Sequence, residues 1–94
     1  MYNCMRESFA MANKEVITAL SDVRFSGSTC VSVLTYGKKI FIANVGDSRA
    51  IIARAVNLGN DINADPLTND HKPDDPNEAK VIMANNGRID SYRD

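Results

Sequence analysis

Residues 46–49, Gly-Asp-Ser-Arg, are the part of this sequence whose side chains most directly suggest chemistry. They place an acid, a hydroxyl and a guanidinium between two apolar runs, Phe41–Val45 and Ala50–Ala53. A carboxylate at such a bend can accept hydrogen bonds from the backbone amides of a tight turn. It can also bind a hard cation such as Mg²⁺ or Mn²⁺, because a rigid strand end holds a ligand in place. The residues alone favour the turn and leave a metal role open for Asp47.

Two other features could contact a phosphate, and both have a simpler structural explanation. Arg49 can bind phosphate or can orient the turn by pairing with Asp47 or a neighbouring acid. We expect the ion pair, because Arg49 opens a strand. Residues 26–30, Ser-Gly-Ser-Thr-Cys, could cradle a phosphate with their amides, but such loops usually lead directly into a helix. A strand pattern follows here, which favours a tight entry into a strand.

Residues 67–78 contain the single histidine of the chain, His71, among four acids. Asp70, His71 and Asp74 include the donor atoms that a metal site uses. Their spacing matches no metal-binding helix or finger, and the two prolines of the segment favour an exposed, stiff turn. We therefore expect this segment to be structural and to lead into a helix.

The elements that would position these residues can be read from hydrophobic periodicity. Residues 3–22 predict an amphipathic helix whose apolar residues recur at helical spacing. Residues 29–36 and 39–45 predict two antiparallel strands, joined by a type II′ turn at Gly37-Lys38. The helix's apolar face consists of Met5, Phe9, Ala12, Val16 and Leu20.

The downstream part of the chain predicts one more strand and one more helix. Residues 49–54 would add a third strand to the meander, and residues 55–65 are polar and asparagine-rich, which predicts a loop or a short hairpin around Gly59-Asn60. Residues 75–87 predict a helix with Asp75 as N-cap. Glu78 would complete a capping box, and Gly87 would end the helix in a left-handed conformation.

This order of elements predicts an α+β fold, an antiparallel β-meander with flanking helices. The second strand is apolar on both faces, so the sheet needs cover on both sides. Two helices are few for that purpose, and the outer strands would keep unpaired edges. The sequence therefore resembles part of a larger layered structure.

Composition limits the classes of function. The chain has 94 residues, enough for one small domain, and a net charge of −1 that gives no basic surface for nucleic acid or anionic membrane. No apolar run approaches the ~20 residues of a membrane helix, and the first residues lack a signal-peptide pattern. Cys4 and Cys30 have no zinc-site spacing, so we expect both to be reduced and structural. A cytoplasmic or nuclear location fits such cysteines.

Three segments occur in the order found in the protein phosphatase 2C family: Ser26–Thr29, Ala43–Ala50 and Leu67–Glu78. Through them, residues 8–90 resemble the middle of these metal-dependent serine/threonine phosphatases. The resemblance implies an α-β-β-α sandwich of two antiparallel sheets with helices outside. It also implies hydrolysis of phosphoserine and phosphothreonine esters, with two Mg²⁺ or Mn²⁺ ions that bridge an attacking hydroxide and hold the phosphoryl oxygens.

The resemblance assigns one site residue to this chain and places the others outside it. Asp47 corresponds to a ligand of the third metal found in some family members. The family's Asp-Gly-His-Gly-Gly motif, its N-terminal phosphate-binding arginine and its later Asp-Gly and Gly-Asp-Asn motifs are absent. Residues 1–94 thus resemble a partial catalytic domain that lacks the N-terminal and C-terminal metal motifs. Smaller departures from the family pattern are Cys30, Val81 and Asn85-Asn86.

The sequence therefore predicts a fragment of a phosphatase that acts on phosphoprotein substrates. We expect the isolated chain to be inactive, since a metal ion needs several oxygen ligands and only Asp47 is available. The alternative is a truncated, non-catalytic binding module that uses Asp75–Gly87 and the exposed sheet edges. In either case we expect the chain to self-associate through its uncovered faces, and we expect neither nucleic acid nor membrane as a partner.

Overall fold

A computed structural model describes residues 1–91 of the chain. The predicted domain range, 1–94, includes residues 92–94, which lie outside the described part. The α+β class and the antiparallel pairing of neighbouring strands are confirmed. The elements are α1 (Tyr2–Ala19), β1 (Cys30–Tyr36), β2 (Lys39–Val45), β3 (Ile51–Val56), a 3-10 turn (Asn57–Gly59), β4 (Asp61–Pro66) and α2 (Pro76–Ala84).

The first hairpin forms as the sequence predicts. Strand β1 pairs antiparallel with β2, and Tyr36 lies opposite Lys39 across a two-residue turn. Gly37 has φ +60°, the sign that a type II′ turn needs at its first central position. Glycine meets this need because it has no Cβ to clash in that region. The turn therefore fixes the register of the hairpin.

The third strand does not join this hairpin, which corrects the predicted three-stranded sheet. Strand β3 pairs with β4 instead, so the described residues form two sheets of two strands each. Strand β4 takes up the second half of residues 55–65, which were predicted as a loop or a short hairpin, because backbone pairing with β3 outweighs the weak strand propensity of these polar residues. The short hairpin suggested around Gly59-Asn60 is present, with Asn57, Leu58 and Gly59 all at positive φ.

Helix α1 is shorter than predicted and only partly covered. Met5 and Phe9 are half-buried, and they line a groove of about 390 Å³ between the helix and β2. Further along the same predicted apolar face, Ala12, Val16 and Leu20 are exposed. The two-stranded sheet is too narrow to cover a helix of 18 residues. The C-terminal half of α1 therefore has an apolar face without a partner among the described residues.

Helix α2 begins at the predicted cap. The Asp75 carboxylate accepts a hydrogen bond from the Asn77 backbone N–H at 2.9 Å, and Pro76 occupies the first helical position. The predicted capping box does not form. The Asp75 N–H, which Glu78 would have bound, donates to the Lys72 carbonyl at 3.0 Å instead. The preceding turn therefore satisfies this donor.

The C-terminal end of α2 differs from the prediction in one residue. Asn86, not Gly87, has the left-handed conformation, with φ +63°. The Gly87 N–H donates to the Ile82 carbonyl and the Asn86 N–H to the Met83 carbonyl, a Schellman arrangement. Gly87 is needed for another reason. A Cβ there would lie 2.7 Å from Ile82 Cγ2, so only glycine fits against that side chain.

The described residues do not build a hydrophobic core of their own. None of residues 1–91 is buried, and Phe25 is 90% exposed. The radius of gyration is 17.2 Å, whereas a compact domain of this length has about 12 Å. The accessible surface is 8548 Å², against about 5,400 Å² for a compact protein of this mass. The helices and hairpins thus leave their apolar faces open.

Two further predictions concern the cysteines and the membrane. Cys4 and Cys30 are free thiols, and both are exposed rather than buried. No helix within residues 1–91 combines the length and the apolar character needed to cross a bilayer.

Candidate functional site

The Gly-Asp-Ser-Arg bend and the segment that contains His71 meet at Gly46. The Gly46 carbonyl accepts a hydrogen bond from the His71 backbone N–H at 3.0 Å. The Gly46 N–H donates to Nδ1 of the His71 ring at 3.2 Å. Both polar groups of Gly46 are therefore bound by one residue 25 positions away, which ties two of the three motif segments together.

An ion pair joins the same two segments a few residues further on. The Arg49 guanidinium donates two hydrogen bonds to the Asp70 carboxylate, Nε to Oδ1 at 3.0 Å and Nη2 to Oδ2 at 2.7 Å. The Asp70 side chain is only 17% exposed and that of Arg49 60%. The hydrogen bonds from Arg49 lower the pKa of Asp70, and those to Asp70 raise the pKa of Arg49. Arg49 thus orients the turn by pairing with an acid, which was the expected one of its two predicted roles; the other was phosphate binding.

Backbone contacts continue this junction into the second hairpin. The Ala50 N–H donates to the Thr68 hydroxyl at 3.1 Å, and the Ala50 carbonyl accepts from the Leu67 N–H at 2.8 Å. The second contact prolongs the pairing of β3 with β4 by one position. The pairing of β3 with β4 therefore directs residues 67–71 along the bend.

The third motif segment reaches the bend through Thr29. Its hydroxyl lies 2.6 Å from the Ser48 hydroxyl, within hydrogen-bond distance. Ser28 donates to the Thr29 carbonyl at 2.9 Å, and β1 begins at the next residue, Cys30. Residues 26–30 therefore form a tight entry into a strand, which was the structural alternative to a phosphate loop.

Gly46 has a conformation and a contact that no other residue type satisfies. Its φ is +100°, and a Cβ built on it would lie 2.5 Å from Thr29 Cγ2 and 2.8 Å from Thr29 Cβ. Real Cβ atoms are not found at such distances from carbon, so Thr29 packs directly on the backbone of the bend. A glycine directly after an apolar strand was the available signal in the sequence, but its partner was not predictable.

Asn44 is a functional candidate that the sequence analysis missed. Its Nδ2 donates to the carbonyls of Gly46 and Asn69, each at 3.3 Å. Its Oδ1 is enclosed and has no hydrogen-bond partner among the described residues. An amide inside an otherwise apolar strand was the signal, since such a group is buried only where it finds partners.

Asp47 is exposed, and its carboxylate enters no ion pair or hydrogen bond recorded within residues 1–91. The predicted bonds to turn amides are therefore not made, whereas the predicted metal role remains a prediction. Asp70 and His71 already have Arg49 and Gly46 as partners. Across that same part of the chain, no group of three acids, histidines or cysteines has the geometry to hold a metal. Asp70 and His71 thus make structural contacts, and the nearby Asp47 carboxylate has no partner within residues 1–91.

The comparisons with known proteins agree on one family. The family model described as "Protein phosphatase 2C" matches residues 1–93. The "Probable protein phosphatase 2C 75" of Oryza sativa subsp. japonica is 37% identical, over 99% of this chain and 22% of that protein. The "Probable protein phosphatase 2C 12" of the same organism is 42% identical, over 78% of the chain and 18% of that protein.

A relative from a second plant gives the same result. The "Probable protein phosphatase 2C 72" of Arabidopsis thaliana is 39% identical, over 87% of the chain and 24% of that protein. The chain thus spans about a fifth to a quarter of the length of these relatives. No solved structure matches the chain significantly. The family match covers all three motif segments that meet at Gly46, and the chain belongs to the protein phosphatase 2C family.

Proposed function

We propose that this chain is the central part of a catalytic domain that hydrolyses phosphoserine and phosphothreonine esters of protein substrates. One observation carries the proposal. The three motif segments converge on Gly46 and leave the adjacent Asp47 carboxylate without a partner among the described residues. Family membership supports the reaction class, and the open apolar faces support a domain that is completed by further layers.

Asp47 is the residue of this chain that we assign to metal binding. It fits a hard cation because its carboxylate has no partner within residues 1–91 and stands on a bend whose backbone is held by His71 and Thr29. It fits as one ligand of several, since residues 1–91 contain no complete ligand group. Bound Mg²⁺ or Mn²⁺ would activate water and neutralise the phosphoryl oxygens. The role of the chain is to hold the Asp47 carboxylate in a fixed direction.

The test uses the complete catalytic domain, with Mn²⁺ and p-nitrophenyl phosphate. We expect Asp47→Asn to weaken Mn²⁺ binding and to lower turnover, because the amide lacks the ligand charge. Asp74→Asn is the matched control, since Asp74 is also an exposed acid but lies in the segment to which we assign a structural role. Equal Mn²⁺ affinity in the domain and its Asp47→Asn variant would contradict the assignment.

The isolated 94-residue chain should show no turnover, since one carboxylate does not hold an ion in place. The measurement is release of p-nitrophenol by the purified chain with Mn²⁺ present. Chelator-sensitive turnover by this chain would contradict the ligand assignment.

We also propose that the isolated chain self-associates. Its accessible surface of 8548 Å² includes apolar faces on α1 and on both hairpins. The excess over a compact monomer is about 3,000 Å², more than a standard interface of about 1,600 Å² requires. Sedimentation at tens of micromolar should show oligomers, and a monomer there would argue against the proposal.

The same open faces favour the second candidate, a non-catalytic binding module, which a full reading frame without the metal motifs would support.

A further inference from the structure

His71 holds the peptide groups on both sides of Gly46. Its ring Nδ1 accepts from the Gly46 N–H at 3.2 Å, and its own N–H donates to the Gly46 carbonyl at 3.0 Å. The carbonyl belongs to the peptide that links Gly46 to Asp47. The ring holds the peptide before Gly46, and the backbone N–H of His71 holds the peptide after it. Together the two contacts fix φ and ψ of Gly46, and these angles set the direction in which the chain enters Asp47.

The contact at Nδ1 requires a particular form of the ring. A nitrogen that accepts a hydrogen bond carries no proton, so the ring is neutral with its proton on Nε2. This assignment follows from the hydrogen bond, because an amide N–H can only donate. Nδ1 is engaged, and the ring belongs to no group of three metal-binding side chains, so His71 is not part of a metal cluster within residues 1–91.

Glycine at position 46 makes this support necessary. Its backbone has no Cβ to restrict it, and at φ +100° the bend would otherwise sample other conformations. Asn44 also binds the Gly46 carbonyl, but the Gly46 N–H has only the His71 ring as a recorded partner in the described part of the chain. His71 therefore controls a backbone group that the other contacts leave free.

We propose that His71 is a positioning residue that sets the direction of the Asp47 carboxylate through the Gly46 amide. It would not touch the metal or the phosphate. This inference rests on the proposed metal role of Asp47. Residues that orient metal ligands in this indirect way typically change metal affinity by 10- to 100-fold when they are replaced.

The test compares His71→Asn with His71→Leu in the complete domain. The asparagine amide oxygen is bonded to Cγ, as histidine Nδ1 is, so it can accept from the Gly46 N–H at nearly the same place. Leucine has similar bulk and no acceptor. The readouts are the chemical shift and hydrogen exchange of the Gly46 amide by NMR, and the dissociation constant for Mn²⁺ by calorimetry.

We expect His71→Leu to shift the Gly46 amide proton upfield, to speed its exchange, and to weaken Mn²⁺ binding about 10-fold. His71→Asn should retain the amide signal and bind Mn²⁺ within about threefold of the parent. An unchanged Gly46 amide in His71→Leu would overturn the inference. Equal losses of Mn²⁺ affinity in both variants would also overturn it, because the imidazole itself would then be the ligand.

A failure of the proposed function gives a different pattern. Asp47→Asn would then leave Mn²⁺ affinity unchanged, while His71→Leu would still alter the Gly46 amide. The Gly46 signal therefore reports on the contact, and the Asp47 variant reports on the metal.

Discussion

Replacing Gly46 by alanine tests the geometry of the bend most directly. Two costs add at this position. A non-glycine residue at φ near +100° costs about 1–3 kcal/mol in backbone strain. The new Cβ would also lie 2.5 Å from Thr29 Cγ2, and overpacking of this kind costs about 1–3 kcal/mol. We therefore expect Gly46→Ala to reduce the free energy of unfolding of the complete domain by about 2–6 kcal/mol.

Thr29 cannot relieve this clash by rotating its side chain alone. Its Cβ, which does not move with the side-chain torsion, would still be 2.8 Å from the new Cβ. Rotation would also break the hydrogen bond of the Thr29 hydroxyl to Ser48. The backbone of one segment must shift, so we expect the Asp47 carboxylate to move as well.

Alanine substitutions at two other glycines separate the cost of backbone strain from the cost of the steric clash. Gly59 has φ +87° with no atom within 4 Å of a built Cβ, so Gly59→Ala carries the backbone cost alone, about 1–3 kcal/mol. Gly27 has neither feature, so Gly27→Ala should be neutral or stabilising by up to about 1 kcal/mol. The assay is urea unfolding of each variant of the complete domain. If Gly46→Ala is no more destabilising than Gly59→Ala, the close packing of Thr29 on the bend is refuted.

Two predictions concern the segment that follows β4. Arg49 holds the pKa of Asp70 below its ordinary value, so the ion pair contributes stability above pH ~4. That contribution is lost as pH falls through the lowered pKa, and the stability difference between parent and Asp70→Asn should shrink with it in acid unfolding curves. Asp75→Ala should cost about 1 kcal/mol in urea unfolding. Glu78→Ala should cost much less, because Glu78 closes no capping box; equal costs would mean that the box forms.

Sequence patterns predicted the elements better than their pairing. Hydrophobic spacing and turn chemistry located α1, the first hairpin and α2, because these signals act over a few neighbouring residues. The partner of β3 depends on residues 61–66, whose polar composition favours a loop. Only the backbone hydrogen bonds to β3 make this stretch a strand, and such hydrogen bonds cannot be inferred from the types of its residues.

The candidate site shows the same difference between local features, which the sequence predicts, and contacts between distant segments, which it does not. The sequence marked Asp47 and predicted that Arg49 pairs with a nearby acid, but Asp70 lies 21 positions away and was considered a metal-ligand candidate instead. The partner of Gly46 was not predictable either, since the sequence around His71 does not indicate which backbone amide its ring will bind. Side-chain type indicates possible chemistry, whereas contacts between distant segments decide which chemistry is used.

The contacts around Gly46 lead to a last prediction about how the site depends on the rest of the fold. They join exposed or half-buried groups, and water competes for such hydrogen bonds, so each adds little net stability. The chain has no core of its own within residues 1–91 to hold the three segments in register. Further layers of the domain would exclude water and remove that competition.

We therefore expect the Gly46 amide to exchange with solvent almost freely in the isolated chain. In the complete domain it should exchange at least about 100-fold more slowly, because opening would then require a larger part of the fold to unfold. NMR-detected hydrogen exchange on both proteins measures this, and the Leu58 amide at the hairpin tip, on a fully exposed residue, is an internal control that should exchange fast in each. Equal protection of Gly46 in the two proteins would mean that the three segments hold the bend without help. The direction of the Asp47 carboxylate would then be set locally, not by the completed domain.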